Sequence, residues 1–248
     1  MPRFQINFQG YGNAILSKLS CGNIQIIPED KGKFRIEKVI EEDSLDSASI
    51  ISEEWAILFS QALSLLTDST VTIKMTGLSQ LDGFIGAGPS MSGKVTVTYL
   101  PPLKQIFASD LKQVLTFIPK LEALSESDLR KRAINWFIKG MKDSDFVDRF
   151  ISHWIALEAL SNLYEGEVEP YTCPNQDCQH ILNPRPHGSV LWSFLKSLGL
   201  KNESTDVNQM SKIRGNLFHE GKRLKEAASS QPKLQEILKQ SILKTMVP

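Results

Sequence analysis

Residues 206–221 read Asp206-Val-Asn-Gln-Met-Ser-Lys-Ile-Arg214-Gly-Asn-Leu-Phe-His219-Glu-Gly221. Val207, Met210, Ile213 and Leu217 recur at spacings of three and four, which predicts a helix with one apolar stripe. Asp206 is placed to cap its start and Gly221 to end it at C′. Arg214 and His219 lie about 140° apart around an ideal helix, so they do not share a face. A long arginine can swing round, and Gly215 leaves room for it. His219 falls in the last turn, where the negative end of the macrodipole favours an imidazolium. A histidine can accept and donate protons near neutrality. An arginine can hold a phosphate bidentately and stabilise charge developing on phosphorus. RNA brings its own nucleophile, the 2′-hydroxyl. Arg214 and His219 therefore suffice for RNA transesterification without a metal.

The helical pattern extends upstream to Pro101-Pro102. Leu111, Val114, Leu115, Ile118 and Leu121 predict a helix over Asp110–Leu124. Ser125, with Asp128 three residues on, is placed to cap a second helix that runs to Lys139 and stops at Gly140. Asp143–Tyr164 predicts the longest helix, and a loop follows from Glu165 to Gly188. Shorter helices are expected over Ser189–Leu198, Asp206–Glu220 and Pro232–Lys244. Before Pro101 the period changes. Phe4–Phe8, Lys33–Ile36, Val71–Met75 and Lys94–Tyr99 alternate apolar and polar, as half-buried strands do. One helix interrupts them, opened by Ser52-Glu53-Glu54-Trp55 and carrying Ile57, Leu58, Ala62, Leu65 and Leu66. Glu41–Ser52, acidic and Ser-rich, is expected to be a surface loop. The expected architecture is an α+β domain over 1–102 followed by an all-α domain over 103–248, with a Cys/His loop at 165–188.

Composition narrows the function classes. Lys plus Arg equals Asp plus Glu at 28 each, so no bulk positive field marks a nucleic-acid partner, and RNA binding would need a local patch or a dimer cleft. No apolar run reaches the roughly 18 residues of a membrane span. The first residues lack the layout of a signal peptide, so a cytoplasmic location is expected. The three cysteines are then expected to be reduced.

Arg214-Gly-Asn-Leu-Phe-His219 resembles the R-x4-H signature of HEPN domains, and the following Glu220-Gly221 resembles the ending of many members. Asp145-Phe-Val-Asp-Arg-Phe-Ile-Ser-His-Trp-Ile-Ala-Leu-Glu158-Ala-Leu is similar to the long helix of the ApeA-like and MauJ-like branch. The resemblance covers roughly residues 105–245. It implies a HEPN-like helical bundle that dimerises to bring two Arg/His pairs together. In active members it implies endoribonuclease chemistry that leaves a cyclic phosphate. Gly215 departs from the pattern, because many active members carry a polar residue after the arginine; Asn216 is the candidate substitute.

Glu158 falls among Val147, Ile151 and Trp154 on the long helix, and a carboxylate on an apolar face needs a partner. It either orients Arg214 or His219, or forms a structural salt bridge to Arg149 or Arg132. His153, on the side of Phe146, Arg149 and Leu160, is expected to be packed or at the surface. Cys173 and Cys178, spaced C-x4-C, precede His180 and His187. Two thiolates and two imidazoles suit a structural tetrahedral zinc, with Cys21 or a water in place of His187 as alternatives. Otherwise the loop is a reduced surface loop or lines an RNA entry. Lys222 and Arg223, with Lys225, are candidate phosphate contacts or plain solvated surface. Gly88–Val95 nearly matches a phosphate-binding loop, but Val95 replaces the metal-binding hydroxyl and a strand follows, so it is expected to be a flexible Gly/Ser loop joining two strands.

The resulting expectation is a metal-independent endoribonuclease, of the toxin or phage-defence kind, acting on RNA as a homodimer. Residues 1–102 would sense a signal or bind a partner. The alternative is a non-catalytic adaptor, dimerisation or nucleotide-binding module in a larger complex.

Overall fold

The computed structural model describes residues 1–29, 32–81, 104–125, 127–166, 171–172, 181–182, 187–200, 204–220 and 224–246. Two compact units emerge, Met1–Ala123 and Leu124–Pro248.

The first unit is built on strands β1 (Arg3–Gly12), β2 (Ala14–Leu16), β3 (Leu19–Cys21), β4 (Ile24–Pro28) and β5 (Lys33–Glu41), helix α1 (Leu45–Thr67), strands β6 (Val71–Gln80) and β7 (Lys104–Ile106), and helix α2 (Ala108–Glu122). Five strands form an antiparallel sheet in the order β3-β4-β5-β1-β6. β2 pairs separately with β7 in parallel. Period-two alternation sends Phe4, Ile6 and Phe8 of β1 and Phe34 and Ile36 of β5 into the core. Helix α1 packs against β1 and β6, and the Phe8, Trp55 and Phe59 rings meet at centroid distances of 5.5 and 5.2 Å. The expected α+β character of this part is present.

Helix α1 starts a full two turns before Ser52. Ser44 is the cap: its hydroxyl accepts from the Ser47 amide, and Asp46 sits in the first turn. Ser52 is buried within the helix and donates back to the Ala48 carbonyl. The stretch Leu45–Ser52 is therefore helix, not a surface loop, because the acidic residues follow an earlier cap. The unit boundary also lies beyond Pro102. The stripe Leu111, Val114, Ile118 and Leu121 of α2 is buried, and α2 packs on α1, so it belongs with the sheet. The strand expected at Lys94–Tyr99 and the loop expected at Gly88–Val95 lie outside the described residues.

The second unit contains α3 (Leu129–Lys142), α4 (Phe146–Ser161), the short pair β8 (Tyr171–Thr172) and β9 (Ile181–Leu182), α5 (His187–Ser197), α6 (Ser204–Glu220) and α7 (Leu224–Thr245). Helices α3 and α7 both pack on α4, α5 packs on α4 and α6, and α6 packs on α7. Asp128, not Ser125, caps α3. Its carboxylate accepts from the Arg130 amide and from the Arg130 guanidinium, which holds the acid below its usual range. The same guanidinium donates to the Thr245 carbonyl of α7.

Gly140 does not end α3. It is buried inside the helix, and a methyl there would stand 2.5 Å from Nε2 of His153 on α4. Glycine marks a close helix–helix approach here, whereas a glycine after an apolar stripe usually marks a stop. His153 is fully buried, stacked on Phe137 at 5.4 Å, and lies 3.2 Å from the Phe137 carbonyl and 3.3 Å from the Gln231 side-chain amide. Helix α7 starts eight residues before Pro232 and carries that proline internally. Buried Ala227 and Gln231 show that its first turns already pack inward.

Candidate functional site

Helix α4 supplies the first half of the site. Asp145 caps it by accepting from the Val147 and Asp148 amides at 2.7 and 3.1 Å. Phe150, Trp154, Leu157 and Leu160 form the buried stripe. Glu158 borders that stripe one turn after Trp154, so its carboxylate is only partly sheltered. Trp154 Nε1 is buried and has no hydrogen-bond partner among the described residues.

Helix α6 supplies the second half. Val207, Met210 and Ile213 are buried, which fixes the helix's rotation, and Arg214 follows Ile213 at the edge of that stripe. Arg214 Nη2 lies 3.5 Å from Oε1 of Glu158, with 37% and 27% of the two side chains exposed. The carboxylate's partner is thus Arg214, not Arg149 or Arg132. Arg149 instead donates to the Asp143 carbonyl and lies over the Phe146 ring. At this distance and exposure the ion pair is worth about 1 kcal/mol or less to stability. Its more consequential effect is to narrow the arginine's rotamers and aim the guanidinium toward α4.

Ser204 begins α6, so Asp206 lies in its first turn rather than at the cap. The helix continues unbroken to Glu220, so Arg214, Asn216 and His219 share one helix. Asn216 and Leu217 are half-buried; Leu217 lies at the margin of the expected stripe. A methyl added at Gly215 would meet nothing within 4 Å among the described residues. The His219 backbone lies in the last turn of α6, while its side chain, with Gly221, Lys222 and Arg223, lies outside the described residues. So do Cys173, Cys178, His180 and the side chain of His187, whose backbone opens α5. Cys21 is exposed at the end of β3. Among the described residues, no His, Cys, Asp and Glu side chains group in a metal-holding set, and no helix is long and apolar enough to cross a membrane.

Two polar positions escaped the sequence pattern. Lys38 lies on the core-facing side of β5, buried, with its ammonium 4.4 Å over the Trp55 ring. Its parity with Phe34 and Ile36 was the available signal. Gln231, buried beside His153, carried no signal before α7 was known to begin upstream of Pro232.

Comparison of this chain with family models, with curated proteins and with solved structures finds no match.

Proposed function

We propose that this chain is a HEPN-type, metal-independent endoribonuclease working as a homodimer. The observation that carries the reading is the Glu158–Arg214 ion pair, which joins the two segments on which the family resemblance rests. Arg214, oriented by Glu158, binds the scissile phosphate and stabilises charge on it in the transition state. His219 acts as general base or acid toward the 2′-hydroxyl and leaving oxygen, and Asn216 assists. Lys222 and Arg223 contact flanking phosphates. Toxin-like or antiviral activity fits this chemistry, with residues 1–102 as sensor or partner-binding part. The test compares RNA cleavage by the wild type and His219→Ala at matched folding. The variant should lose cleavage and the wild type should leave a cyclic phosphate; equal rates overturn the reading. Cys173, Cys178, His180 and His187 hold a structural zinc in this reading. Metal analysis should find about one equivalent, absent from Cys173→Ser/Cys178→Ser.

The ion pair also favours a second reading, a non-catalytic adaptor in which Arg214 braces α6 to α4. Retention of partner binding and of the oligomer by a cleavage-silent wild type would decide for it.

A further inference from the structure

Helix α3 has the sequence Leu129-Arg-Lys-Arg-Ala-Ile-Asn-Trp-Phe-Ile-Lys-Gly-Met-Lys142: five basic residues and no acidic one, in a chain whose charges balance at 28 each. At about 100° per residue, Lys131, Lys142, Asn135, Lys139, Arg132 and Trp136 fall in one arc of about 140°. The arc lies opposite buried Ala133, Ile134 and Phe137, which with the rest of the core-facing side pack α3 on α4. Arg130 falls on the other side, held by Asp128 and Thr245. Four cations therefore share the outer face with one tryptophan, and Lys139 Nζ lies 4.3 Å over the Trp136 ring. The flanking acids belong to the helix ends: Asp128 caps α3, Asp143 follows its last residue, and Asp145 caps α4.

The helix dipole does not account for this arrangement. Lys139 and Lys142 complement the negative C-terminal end of the dipole, but Lys131 and Arg132 stand in the first turn, where cations oppose it. A solvent face serving stability alone would carry acids there and alternate its charges along the helix. A membrane surface fits poorly as well, because the apolar side that would enter lipid is packed against α4.

We propose that the outer face of α3 binds single-stranded RNA, with exposed Arg132, Lys139 and Lys142 along the phosphates and Trp136 stacking an unpaired base. A polyanion fits the four-turn run of cations, and base stacking explains an aromatic side chain among them. The choice of RNA rests on the nuclease reading; the charge and stacking argument stands without it.

The test uses the full chain and a fluorescein-labelled 2′-O-methyl oligouridylate, which lacks the nucleophile for cleavage. Anisotropy titrations are run at stepped potassium chloride. Arg132→Gln/Lys139→Gln/Lys142→Gln should bind at least about tenfold more weakly and lose roughly 2 from the slope of log affinity against log salt. Trp136→Leu should weaken binding by about tenfold while leaving that slope unchanged. Lys33→Gln/Lys74→Gln/Lys112→Gln, exposed cations of the other unit, should bind as the wild type does. Wild type that does not bind, an α3 variant with wild-type affinity and slope, or equal loss in both triple variants overturns the proposal. So does binding to phosphatidylserine vesicles in place of the oligonucleotide. Tight binding with no cleavage of an unmodified oligouridylate overturns the nuclease reading and leaves this one standing.

Discussion

Gly140 and Gly215 both sit inside helices, and the same substitution should act on them with opposite signs. At Gly140 an added methyl meets the His153 ring at 2.5 Å. Overpacking there should outweigh the roughly 1 kcal/mol that alanine gains in a helix, for a net loss of about 1–3 kcal/mol in Gly140→Ala. At Gly215 the methyl meets nothing within 4 Å among the described residues, so Gly215→Ala should stabilise by about 0.5–1 kcal/mol. Urea midpoints of the two variants check the pair. If RNA passes over α6 beside Arg214, Gly215→Ala should also cleave several-fold more slowly; an unchanged rate places the substrate elsewhere. His153 sets a pH dependence. Its pKa falls to about 4 from the ordinary 6.5: burial is the main cause, the Phe137 carbonyl opposes it, and Arg149 adds to the lowering. The unfolded chain binds a proton there below about pH 6.5, while the folded chain resists until about pH 4. The contribution of this group is therefore complete above that window and is lost as pH falls through it, to a total of about 3 kcal/mol. His153→Gln should flatten the fall in urea midpoint across that range; a slope equal to the wild type's would show that another group sets it.

At the scale of elements, β5 carries an internal conflict. Lys38 takes a core position beneath Trp55; its pKa is lowered to about 8 by burial, against the opposing pull of Glu122 at the end of α2. At neutral pH the folded unit holds a desolvated ammonium. Lys38→Met should therefore stabilise by on the order of 1 kcal/mol. The gain should shrink as pH climbs from about 8 toward 10.5, where the native lysine becomes neutral in the folded state first. Denaturant curves at neutral and alkaline pH check it, and a destabilised variant would mean that the cation–π contact and Glu122 outweigh desolvation. The strands β1 and β5 were legible in the sequence because they alternate toward one buried face. Helix limits were less so. Ser44 and Ser52 are both followed by acids, and only the burial of Ala48 selects the earlier cap. Gly140 looks like a stop until the neighbouring helix is placed against it. The site divides in the same way. Arg214 and Glu158 each stand out along the chain, but their meeting depends on how α4 and α6 are brought together, which no spacing encodes.

At the scale of the molecule, the units divide between Ala123 and Leu124. The Pro101-Pro102 break is the stronger punctuation in the sequence, but α2 beyond it buries its stripe against α1. A fragment of residues 1–123 should therefore unfold in one cooperative urea transition, whereas residues 1–102, stripped of α2, should lose that cooperativity. Circular dichroism of the two fragments decides this, and equal cooperativity would make α2 dispensable. In the five-stranded sheet, β1 comes first along the chain yet lies between β5 and β6, with Phe4 opposite both Ile40 and Gln80. Its two neighbours arrive about thirty and seventy residues later, and pairing must close those loops before it repays their entropy. On the ribosome, Phe4, Ile6 and Phe8 stay uncovered while β5, α1 and β6 are still being made. That stretch is therefore a sticky one until its partners arrive, and a chaperone that recognises short apolar strands would find a target in β1.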